Sequence, residues 1–219
     1  MSLKVQEIKA LQQTQKYVKE YFEDEGSGHD WWHIYRVKNM ALTMAKHEGG
    51  NLFIIEMASL LHDLDDWKLS KYKTDNTKTK AWLSQLNIPG NLSQKILEII
   101  GQVSFKGAGV ETTAISLEAQ IVQDADRLDA IGAIGIARAF AYGGSKGRLI
   151  YHPDIKPELH ESFEAYKKTT APTINHFYEK LLLLKDRLNT ETAKKMAEKR
   201  HQFMNDYLKQ FYNEWENID

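Results

Sequence analysis

From Leu3 onward the apolar residues recur three and four positions apart, and no stretch of the 219-residue chain alternates apolar and polar for long. That spacing lines one face of a helix rather than one face of a strand, so the sequence reads as an all-α, helical-bundle protein. Leu3, Ile8, Leu11, Tyr17, Val18 and Tyr21 predict a first helix that ends before Gly26, and a second is expected over about residues 31–47, stopped by Gly49-Gly50. Asn51 then caps an apolar third helix with Ile54, Ile55, Met57, Leu60 and Leu61. The polar run from Lys71 to Thr79 reads as a loop, followed by a short helix with Ala81, Leu83 and Leu86 that Pro89-Gly90 closes. Ile96, Leu97, Ile99, Ile100 and Val103 mark a further helix. A long one is expected over about residues 116–142, with Gly132 and Gly135 inside it for close packing, and two more over about 170–188 and 190–215.

No composition shift or repeat marks a boundary, so one domain over 1–219 is expected, with a helical core at about 20–142 and C-terminal helices at about 170–216 packing on it. A formal net charge of −1 gives no basic field, which argues against nucleic acid or an anionic membrane as partner. Zero cysteines exclude disulfides, thiolate metal sites and a thiol nucleophile. No apolar run approaches the roughly 20 residues needed to cross a bilayer, and Met1 to Glu7 has no secretory character, so a cytoplasmic location is expected.

The sharpest local feature is Leu60-Leu61-His62-Asp63-Leu64-Asp65-Asp66-Trp67-Lys68, where an apolar helix ends in three carboxylates and an imidazole. Burying these groups without partners is costly. A divalent cation resolves the conflict by accepting nitrogen from His62 and oxygen from Asp63 while cancelling repulsion among the acids. An isolated His-Asp pair is more often a core histidine beside a solvated helix end; two further segments shift the balance. His33 lies in His29-Asp30-Trp31-Trp32-His33-Ile34-Tyr35-Arg36, with Arg36 one turn beyond it, and Gln123-Asp124-Ala125-Asp126-Arg127-Leu128-Asp129 interrupts an apolar helix with acids that want a partner.

This order of residues resembles the HD-domain superfamily of metal-dependent phosphohydrolases. Asp30, the His33-xx-Arg36 spacing, His62-Asp63, Ser104-Phe105-Lys106, the run Asp124 to Gly132 and Asn175 to Leu181 are similar to a bacterial subgroup of small stand-alone HD hydrolases, over most of the chain. The resemblance makes His33, His62, Asp63 and Asp126 the metal ligands, with Asp129 as the rival for the last place. One divalent ion is implied, Mn²⁺ or Mg²⁺ first and Fe²⁺, Co²⁺, Ni²⁺ or Zn²⁺ as alternatives. Between Asp63 and Asp126 there is no histidine, which sets the chain apart from two-metal HD proteins.

The expected chemistry is metal-assisted attack of water on phosphorus. Asp66 is the candidate to orient or deprotonate that water, and Arg36 the cation beside His33. Lys68, Lys106, Arg127, Lys146 and Arg148 are candidates to hold substrate phosphates, the last two on a Gly143 to Arg148 loop that is either a lid or a plain helix cap. The resemblance points to a small phosphorylated substrate, a nucleoside triphosphate cut to monophosphate and pyrophosphate. A monophosphate phosphatase and a catalytically silent metal- or nucleotide-binding module are the alternatives.

Overall fold

The computed structural model describes residues 3–23, 26, 28–65 and 76–218. Among them every regular element is a helix, as the three- and four-residue spacing predicts. The chain divides into two compact units, Met1–Ser104 with Thr112–Ala125, and Phe105–Glu111 with Asp126–Asp219.

The first unit holds α1 (Leu3–Tyr21), α2 (Trp31–Glu48), α3 (Leu52–Leu61), α4 (Thr77–Gln85), α5 (Gly90–Val103) and most of α6 (Leu117–Asp129). Its centre is α3, which packs on α1, α2 and α5. Ile55, Met57, Ala58, Leu60 and Leu61 of α3 meet no solvent, and neither do Ile34, Val37, Ala41 and Met44 of α2. Each large side chain buried in this way contributes about 1.5–3 kcal/mol relative to exposure.

Local chemistry fixes where these helices begin and stop. The Asp30 carboxylate accepts from the His33 amide at 2.8 Å and so caps α2, and Asn51 accepts from the Ile54 amide and caps α3. Each such cap is worth about 1 kcal/mol. The start of α4 is held from a distance. Asn76 sits at φ +54° and makes no side-chain cap; instead Asp65 accepts from the amides of Lys78 (3.2 Å) and Thr79 (2.9 Å) and from the Thr79 hydroxyl (2.8 Å). Asp65 thus caps a helix that begins twelve residues later in sequence, at Thr77. Asp65→Ala is expected to lower the unfolding free energy by about 1–2 kcal/mol in denaturant melts, and Asp65→Asn, which keeps one acceptor oxygen, by less. Equal midpoints for all three proteins would show that the cap is not felt.

The second unit holds the end of α6, α7 (Gly132–Ser145), α8 (Phe163–Lys168), α9 (Thr173–Glu179) and α10 (Glu191–Glu216), with short 3-10 turns at Leu181–Leu183 and Lys185–Arg187. α7 packs on α9 and α10. Phe177 of α9 is fully buried, stacked on Tyr207 with centroids 5.8 Å apart and tilted against Phe140 at 6.1 Å. On α10 the buried positions are Ala193, Ala197, Met204 and Leu208.

Two expectations need correction, and of the two readings of the Gly143 to Arg148 segment the structure has the helix cap. The single helix over about 116–142 is two, because Gly132 takes φ +76° and ends any helical path. The Arg200 guanidinium donates to the Leu128 carbonyl there, satisfying a group that a continued helix would have paired internally. The helix over about 170–188 stops at Glu179 and continues only as the two 3-10 turns. The Gly143 to Arg148 segment is the last turn of α7 and its cap. The Arg148 amide donates to the Gly143 carbonyl at 2.9 Å, the Gly147 amide to Gly144 at 3.0 Å, and Gly147 takes φ +64°, the paired-bond cap that ends many helices.

Candidate metal centre

In the first unit the N-terminal turn of α2 and the C-terminal end of α3 bring His33, His62 and Asp63 together. His33 is the third residue of α2, placed by the Asp30 cap on its own amide. His62 is the residue that ends α3, and Asp63 follows it. All three are buried, His33 completely and Asp63 to within 4%. His33 Nε2 lies 3.2 Å from His62 Nε2 and 3.3 Å from Asp63 Oδ2, while His62 Nε2 lies 3.5 Å from Asp63 Oδ1.

Those spacings bear directly on whether a metal fits. Ligand atoms bound at roughly 2.1 Å stand about 3.0 Å apart when their bonds are at right angles and about 3.4 Å apart when tetrahedral. The two edges from His33 Nε2 fall between these values, and the one from His62 Nε2 to Asp63 Oδ1 is slightly longer. The protonation pattern agrees as well. His62 Nδ1 contacts the Ser59 carbonyl at 2.8 Å, and a carbonyl only accepts, so the proton is on Nδ1. In its neutral form His62 then presents the lone pair of Nε2 to the cluster, which is the form that binds a metal.

Burial pushes the Asp63 carboxyl up, but the charges of His62 and His29 and the hydrogen bonds from His29 and His33 outweigh it and hold the group well below the usual carboxylate range. Asp63 is therefore an anion among imidazoles. The sequence reading passed over His29, quoted there only as a flanking residue; its Nδ1 is 2.8 Å from Asp63 Oδ2.

Asp126 stands on α6, half-buried, one residue past Ala125. Its rival Asp129 is 1% exposed and accepts from Arg138 Nη1 at 3.0 Å, so that carboxylate already has a cationic partner. Of the candidate cations, Arg36 is half-buried one turn after His33, and Lys106 is half-buried in the second unit. Arg127 is buried and donates to the Arg187 carbonyl. Arg148 donates to the Thr169 carbonyl at 2.7 Å, and Lys146 is exposed with its ammonium 5.5 Å from the Tyr142 ring centroid. Asp66 and Lys68 lie outside the described residues.

Glu179, at the end of α9, accepts from the Glu158 amide at 3.2 Å and lies 4.0 Å from His160 Nε2. Glu179 is 2% exposed. Burial pushes its carboxyl up, and the Glu158 amide and His160 offset this only in part. A carboxyl raised in the folded state contributes stability that is present below its unfolded value, 4.5, and is lost as pH rises through the folded value. Glu179→Gln keeps an acceptor oxygen without the charge. It is expected to flatten the fall in melting temperature from about pH 4.5 to neutrality, and an unchanged profile in pH-dependent melts would contradict this.

A family model described as the HD domain matches residues 31–131, from the first residue of α2 to the turn after α6. The protein YpgQ of Bacillus subtilis (strain 168) is 37% identical over 217 residues, 98% of each chain. The chain belongs to the HD domain family. A solved HD-superfamily hydrolase from Bacillus thuringiensis is 45% identical, with a TM-score of 0.72 over 96% of this chain and 98% of that one. A solved Lactobacillus plantarum protein is 40% identical, with a TM-score of 0.87 over 94% and 97%. YpgQ itself has been solved in complex with ADP, with a TM-score of 0.75 over 95% of this chain and all of that one. The chain is thus an HD-superfamily hydrolase whose His-Asp cluster fits a divalent metal ion. Among the described residues no helix is long and apolar enough to cross a membrane.

Proposed function

We propose that this protein is a metal-dependent phosphohydrolase that cleaves nucleoside triphosphates to the monophosphate and pyrophosphate. The observation that carries the reading is the buried cluster of His33, His62 and Asp63, in which the two imidazole Nε2 atoms stand 3.2 Å apart and each lies within 3.5 Å of one Asp63 oxygen. Asp126 completes the set in this proposal, supported by the family resemblance and by the engagement of Asp129 with Arg138. The single-domain reading belongs to the same proposal, since the matched residues 31–131 take in parts of both compact units and α6 runs from one into the other.

The bound ion would supply a water of lowered pKa and would polarise a phosphoryl oxygen. The chain's own groups do the remainder. His33 and His62 offer neutral nitrogen, Asp63 and Asp126 offer charge, and two imidazoles with two carboxylates leave coordination room for water and substrate. Asp66, next after Asp65, is assigned to orienting that water. Arg36, beside His33, is assigned to the charge that builds on the phosphoryl oxygens, with Lys68, Lys106, Arg127, Lys146 and Arg148 toward the polyphosphate. Arg127 and Arg148 each keep one donor on a backbone carbonyl, so their part is the smaller. The nucleotide in the substrate assignment is supported by the ADP complex of YpgQ.

The test offers metal-stripped protein a panel of nucleoside mono-, di- and triphosphates with Mn²⁺ or Mg²⁺ and measures orthophosphate and pyrophosphate separately. Pyrophosphate from triphosphates is the expected product. Orthophosphate from monophosphates would replace the substrate assignment with the phosphatase, and no release with any metal would leave a binding module.

A further inference from the structure

His29 precedes α2 and reaches across 34 positions of sequence to Asp63. Its side chain is nearly buried, and its ring stands edge-on to that of His33, with centroids 5.6 Å apart. The ligating atoms of His29, His33 and Asp63 lie within 4.8 Å of one another, so His29 has two available roles at this centre: a ligand itself, or the outer partner of a ligand.

The distances separate these roles. His33 Nε2 and His62 Nε2 stand 3.2 Å apart, and they lie 3.3 Å from Asp63 Oδ2 and 3.5 Å from Asp63 Oδ1 respectively, spacings that suit side chains gathered on one ion. His29 Nδ1 stands 2.8 Å from Asp63 Oδ2, a hydrogen-bond length and shorter than the edge between two ligands at roughly 2.1 Å from a metal. An anionic oxygen only accepts, so Nδ1 carries the proton and its lone pair is spent. The carboxylate is then held by Oδ2, while Oδ1 faces His62.

We infer that His29 is a positioning residue of the metal centre: its Nδ1–H grips one oxygen of Asp63 and fixes the carboxylate in its ligating orientation. The inference rests on the reading of His33, His62 and Asp63 as metal ligands and not on any substrate.

Calorimetric titration of the metal-free full-length chain with Mn²⁺, without nucleotide, tests it. His29→Ala is expected to weaken Mn²⁺ binding roughly 10- to 100-fold, the usual effect of removing an outer partner. His29→Asn places an amide N–H close to where Nδ1–H stood and is expected to recover most of that loss, whereas His33→Ala, which removes a ligand, is expected to abolish binding. Far-UV circular dichroism confirms that each variant folds. Unchanged affinity in His29→Ala overturns the proposal. So does an Asn variant as weak as His33→Ala, which would make His29 a ligand. Binding that depends on His29 in a protein that hydrolyses no nucleotide would sustain this inference and reject the hydrolase reading, so the two fail separately.

Discussion

Asp63→Ala is expected to abolish metal-dependent release of pyrophosphate, with turnover falling at least about a thousandfold, which is the loss of several kcal/mol of transition-state stabilisation. The size follows from where Asp63 stands. It is buried to within 4%, and the rings of His29, His33 and His62 all converge on its two oxygens. Removing the carboxylate leaves three imidazoles around a vacated anion, with two neutral nitrogens and no charge at that position to hold a divalent ion. Asp63→Asn separates charge from shape, because it keeps one oxygen and nearly the same volume. It is expected to lose nearly as much activity as the alanine variant, since the cation responds to charge more than to volume. Both proteins are to be assayed at saturating Mn²⁺, with folding checked by circular dichroism. An alanine variant within roughly tenfold of the parent would remove Asp63 from the metal centre and with it the basis of the proposed reaction.

The parts of this molecule that the sequence announces are those in which cause and effect are close together along the chain. α2 and α3 begin one residue after Asp30 and Asn51 because those side chains accept from an amide three positions on, and Gly49 ends α2 at φ +92°. His62-Asp63 is conspicuous for the same reason: an apolar helix stops and ionisable groups follow at once.

What the sequence conceals depends on partners far away. His29 has no periodic or local signal, since its meaning comes from Asp63, 34 residues distant. Asp129, the rival to Asp126, carries Arg138 from nine residues on, and His160 has Glu179 beside it from nineteen residues on. The break after α6 is hidden by the apolar pattern itself. Leu128, Ile131 and Ile134 keep helical spacing across a turn in which the backbone is not helical, although Leu128 and Ile131 are buried and Ile134 is exposed.

That break carries the second large effect. Gly135→Ala is expected to cost at least about 3 kcal/mol, at or beyond the upper range of core overpacking, or to prevent folding altogether. A Cβ built on Gly135 would lie 2.2 Å from the Ala130 carbonyl oxygen and 2.4 Å from its carbon. These are backbone atoms, so no rotamer change relieves the clash. Ala130 is itself held, its amide donating to the carbonyls of Asp126 and Arg127 at 3.2 Å each. The turn would have to open, and opening it would draw on the last turn of α6, which carries Asp126 and Asp129. Gly144 lies later in the same helix and supplies the control. Nothing stands within 4 Å of the Cβ it would gain, so Gly144→Ala is expected to be neutral or to stabilise by up to about 1 kcal/mol through helix propensity alone. Thermal and denaturant melts of the two variants beside the parent decide the matter. Similar midpoints for Gly135→Ala and Gly144→Ala would mean that the α6–α7 turn yields freely, and a turn that yields would be a poor mount for the carboxylate assigned to the metal.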